Sequence, residues 1–115
     1  MITRTPVATP TREALAEIFR DLERYGIAAH PEVPSHPARA RALIRDAILA
    51  SFPDAIGSYV FWTAADAAAF ADDGRLTAPL TLHHSGPDVA GLLHHRLRAE
   101  GWQVTDGGDT LLIAA

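Results

Sequence analysis

The chain has 115 residues, 48% of them hydrophobic and 21% charged, which is an ordinary globular composition and excludes wholesale disorder. Its formal charge of −4 lacks the positive footprint that nonspecific nucleic-acid binding needs. It contains no cysteine, and all ten of its basic residues are arginine. Disulfides, thiolate chemistry, lysine Schiff bases and P-loop lysines are therefore excluded.

No apolar run approaches the roughly 18 residues that span a bilayer, and Met1 to Pro10 contains no apolar h-region. A cytoplasmic protein with a flexible segment over residues 1–8 is the expectation. Thr9-Pro10 reads as the start of the first helix, since threonine caps and proline suits a first helical position. Leu15, Ile18, Phe19, Leu22 and Tyr25 follow at helical spacing, opposite Glu13, Glu17, Arg20, Asp21 and Arg24, and Gly26 ends the helix. Ile27 to His30 is long enough for only a short strand. Pro31, Pro34 and Pro37 then mark extended loop.

A second helix is predicted from Pro37 to Ser51, with Ala40, Leu43, Ile44, Ala47 and Ile48 inward and Pro53 as its stop. Ser58 to Trp62 is a consecutively apolar and aromatic strand, which suits a central position buried on both faces. Thr63-x-x-Asp66 resembles a capping box and predicts a short alanine-rich helix ending at Gly74. Leu80 and Leu82 alternate with Thr81 and His83 in a strand with one wetter face. Ser85-Gly86-Pro87-Asp88 then starts a helix that runs to about Glu100 and buries Val89, Leu92, Leu93 and Leu97. Trp102 to Thr105 and Thr110 to Ala114 form a hairpin across Asp106-Gly107-Gly108-Asp109.

This order predicts one α/β (α+β) domain over residues 1–115. It is a two-layer sandwich whose mixed sheet of four to five strands is covered mainly on one face by about four helices.

The chemistry-bearing residues are mainly histidines: His30, His36, His83, His84, His94 and His95. No H-x-x-x-H pair exists, and His94 and His95 diverge by about 100° around their helix, so neither a metal nor another cofactor is expected. His83, His84 and Ser85 sit where a strand leaves the sheet and a helix begins, a place where small anions dock. Against that, Ser85 reads as a capping residue, and adjacent strand side chains point to opposite faces. Asp72 and Asp73 are expected in the last turn of the alanine-rich helix, as surface acid that a partner could use. Arg96 falls within the leucine face of its helix, where its stem snorkels and Glu100 pairs with its head; the alternative is a contact with an anion or partner, which would place it with Asp72 and Asp73 on an interaction surface. No G-x-S-x-G, G-x-G-x-x-G or other catalytic constellation is found, so no catalytic residue is assigned.

Three segments carry a resemblance: Tyr25-Gly26-Ile27-Ala28-Ala29, Ser58 to Thr63 with Asp66, and Leu97 to Val104. Together, over Gly26 to Ala115, the chain resembles a family of uncharacterised bacterial domains. The resemblance implies a bacterial origin and an α/β layout, and no activity. Members of that family carry cysteines after the G-I-x-A segment. His30 to Pro37 has none here, so no metal or redox role tied to those cysteines transfers.

The expectation is a noncatalytic module that binds another protein or a small anionic ligand, possible variants including an acidic inhibitor or immunity-type partner. The alternative is a small enzyme or a metal- or anion-binding domain centred on His83, His84 and Ser85.

Overall fold

A computed structural model describes residues 9–51 and 57–115. The expected flexible segment 1–8 and the helix stop at Pro53 lie outside the described residues. The elements, in chain order, are α1 (Arg12–Glu23), β1 (Ala28–Val33), α2 (Pro37–Ser51), β2 (Tyr59–Thr63), a 3-10 turn (Asp66–Ala69), β3 (Leu80–His84), α3 (Pro87–Ala99), β4 (Val104–Asp106) and β5 (Thr110–Ile113). The strands form one mixed sheet in the order β1-β2-β3-β5-β4. Only the β1–β2 pair is parallel.

β2 is an interior strand buried along its whole length, as its unbroken apolar run predicts. Its residues alternate between two separate cores. Val60 and Trp62 join Leu80, Leu82, Leu111 and Ile113 beneath α1 and α3, where Trp62 packs 4.8 Å from Phe19. Tyr59 and Phe61 meet Ala40 and Ile44 of α2 on the opposite face. The sheet is thus covered by two helices on one side and one on the other.

Several boundaries differ from the sequence expectation. Thr11, rather than Thr9, caps α1: its side chain accepts the Ala14 N–H, while Pro10 lends its carbonyl to Leu76. β1 runs on through Pro31 to Val33, because an edge strand tolerates a missing donor; its register slips after His30, where Glu32 takes a positive φ. The expected fourth helix is only a four-residue 3-10 turn, and Asp72 and Asp73 follow it in irregular chain. That chain bridges Phe70 to Leu76 and Arg75 to Thr11, so tertiary pairing displaces helix growth. Tyr25 is exposed rather than inward, because α1 ends at Glu23 before Tyr25 can complete the stripe. Leu43 and Leu92 are likewise exposed. The C-terminal hairpin forms, but its first strand begins at Val104. Trp102 instead donates its N–H to Leu97 at the end of α3 and fills the core.

Among the described residues no helix is long and apolar enough to cross a membrane.

Candidate functional site

α2 covers β1 and β2, and the described residues leave the same face of β3, β5 and β4 largely open. At the border between covered and open halves stands His83. The β2–β3 register sets it opposite Phe61, and the two rings stack with centroids 4.9 Å apart. His83 Nε2 lies 2.9 Å from Asp66 Oδ2. The same oxygen accepts the Thr63 backbone N–H at 3.0 Å and the Thr63 hydroxyl at 2.9 Å, while Asp66 N–H donates back to Thr63 Oγ1. Thr63 and Asp66 therefore make the reciprocal bonds of a capping box. The capping carboxylate also orients an imidazole. With Nε2–H directed at Asp66, Nδ1 is the nitrogen left with a lone pair.

His84, the next residue, points to the other face, as strand alternation requires. It is 1% exposed, and neither ring nitrogen has a hydrogen-bond partner. Burial holds its imidazole below the usual histidine range, and the nearby Arg41 guanidinium adds to the effect. The Asp109 carboxylate and the backbone of Thr110 and Gly86 pull the other way, more weakly.

Arg41 locks this end of the sheet. Its guanidinium donates to the His84 carbonyl at 2.6 Å, the Asp109 carbonyl at 2.7 Å and the Tyr59 hydroxyl at 3.2 Å. It also sits 5.9 Å from the ring centres of Tyr59 and Phe61 and 3.4 Å from an Asp109 carboxylate oxygen. Ser85 does not cap α3: Gly86 holds the cap position without a side-chain bond, and Ser85 Oγ accepts the Tyr59 N–H. The helix start expected from Ser85 thus forms one residue later, because β2 takes the hydroxyl.

The three residues expected to form one site are therefore divided. His83 belongs to the α2 side, His84 to the α3 side, and Ser85 to the sheet end. Asp73 is bound by the backbone N–H and guanidinium of Arg75, which lower its pKa, while the Asp72 side chain beside it makes no hydrogen bond or ion pair among the described residues. Arg96 pairs with Glu100 at 2.5 Å and with Asp21 at 3.4 Å. His36 accepts the Ala38 N–H at the start of α2, while His30 is exposed on β1. No group of three potential metal ligands occurs among the described residues.

Sequence reasoning missed Asp66 as a partner of His83 and missed Arg41 altogether. The Asp66 signal was present in the capping spacing, but its contact with His83 depends on an antiparallel pairing 17 residues away. Arg41 gave the weaker sign of sitting beside the buried Ala40. Compared with known proteins, the chain matches no family model, no curated protein and no solved structure.

Proposed function

We propose that this protein is a noncatalytic binding module that takes a protein partner on the open half of its sheet. The observation that supports this reading is a cross-strand row of Thr81, Leu112 and Thr105, beside Thr110, on the face that α2 leaves uncovered. Leu112 is 40% exposed in the middle of that row. Short β-branched side chains lose little rotamer freedom on binding, and an isolated leucine among them supplies apolar area. The net charge of −4 favours a basic partner, in line with an acidic inhibitor or immunity-type role. The test is recovery of a protein from the native host on immobilised wild-type chain, with the footprint mapped by hydrogen exchange. Retention that Leu112→Asp abolishes, with slowed exchange on β3, β4 and β5, is the expected result. A footprint on any other surface would overturn the reading.

A second reading is favoured by the His83–Asp66 pair. A carboxylate-oriented imidazole with a free lone pair is the arrangement of a general base. Turnover in a broad hydrolase and phosphatase screen, lost in His83→Gln, would replace the binding reading with this one.

A further inference from the structure

A separate groove of about 800 Å³ runs between α3 and the β4–β5 turn, away from the open sheet face. Pro87, Ala90, Gly91, His94 and Arg98 recur at three- and four-residue spacing along one flank of α3, and Asp106 and Gly108 face them from the turn. Ala90 and His94 are half-buried, and Pro87, Gly91, His95, Arg98, Asp106 and Gly108 are exposed, so the groove is shallow and open.

Two features of this groove are not required by the packing of the fold. The first is Gly91, in the interior of α3. A Cβ built there meets nothing within 4 Å, so packing does not require a glycine, which is a poorer helix former than alanine. Its effect is to keep the groove wide. The second is Arg98. Six of the nine described arginines lie within 4.0 Å of a carboxylate, in a chain with more acids than bases. Arg98, like Arg20 and Arg39, has no such partner among the described residues, although Asp106 lines the same groove. Neither His94 nor His95 has a side-chain hydrogen bond among them. Cations near a helix C-terminus are favourable, which accounts for the charge but not for the space beside it.

We propose that this groove binds a small organic anion, with Arg98 and the two histidines holding a phosphate or carboxylate and the Ala90–Gly91 stretch of α3 receiving its apolar part. This site is independent of the partner surface on the opposite layer. Phenyl phosphate serves as the probe, with phenol and inorganic phosphate as its separate halves. At millimolar phenyl phosphate, the backbone resonances of Ala90, Gly91, His94, His95 and Gly108 should shift. Arg98→Ala should weaken binding about tenfold, the loss of one charge-assisted contact. Gly91→Leu should fill the groove and abolish binding while thermal unfolding shows an intact fold. A null titration, an equal response to phenol or inorganic phosphate alone, or binding unchanged in both variants would overturn the proposal.

Discussion

The two faces of the sheet solve different problems. Beneath α1 and α3 lies a continuous dry core running from Leu15 to Ile113 and centred on Trp62. Beneath α2 the buried core is Ala40, Ile44, Tyr59 and Phe61, with Ala28, Val33 and Ile48 packed against it, and it ends against a polar cluster of buried His83 and Thr63 and half-buried Asp66. The first face supplies most of the hydrophobic driving force, which scales with apolar area removed from water. The second is polar where it needs orientation and bare where it meets solvent. A large apolar core and a small core with a polar border thus lie on opposite sides of one sheet, and β2 connects them by alternating its side chains between both.

The contrast can be broken most severely on the closed face. Trp62→Ala should cost about 3–5 kcal/mol in urea unfolding, the range for deleting a large aromatic from a packed core. Next comes the polar cluster. Asp66→Ala removes the acceptor of Thr63 N–H, Thr63 Oγ–H and His83 Nε2 together, and a loss of about 2 kcal/mol is expected. It should also release the His83 ring from its fixed orientation, visible as altered imidazole nitrogen shifts. An unchanged imidazole spectrum would show that Asp66 does not orient the ring.

His84 tests the comparison in the opposite direction. Replacing a buried, unpartnered imidazole with leucine should raise stability by about 1 kcal/mol at neutral pH. Its lowered folded-state pKa adds a pH signature. Below the unfolded histidine value of about 6.5 the unfolded chain takes up a proton that the folded chain resists, so stability falls as the pH drops from there toward the folded value. His84→Leu should therefore flatten the decline in unfolding free energy between neutral and mildly acidic pH. Arg41→Ala should move the His84 titration upward in NMR, since the guanidinium no longer opposes the imidazolium.

The smallest effect belongs to the open row. Leu112→Thr should change stability by no more than about 0.5 kcal/mol, because the side chain it removes is already partly in water. A loss comparable to that of Trp62→Ala would mean that the face is covered after all.

Much of this architecture is written locally. The three α-helices, the buried aromatic strand and the terminal hairpin follow from periodicity, from proline and glycine placement, and from the Asp-Gly-Gly-Asp turn. Those signals act within a few residues, so they survive without knowledge of the rest of the chain. The alternation of His83 and His84 is local in the same way, and it correctly separates them. What the chain order alone does not contain is the choice of partners across the sheet. The segment after Asp66 has the alanine content of a helix, yet its pairing with Thr11 and Leu76 holds it to one 3-10 turn. Ser85 has the chemistry of a cap, yet the Tyr59 N–H claims it.

The candidate site in the strand-to-helix turn was visible as three adjacent residues. Only tertiary structure sent them three ways: it joined His83 to Asp66, buried His84 without partners, and brought Arg41 from another helix to bind the turn's carbonyls. The physical reason is that helix and strand formation depend on near neighbours, whereas the satisfaction of buried polar groups is decided by whatever the folded chain brings within hydrogen-bond distance.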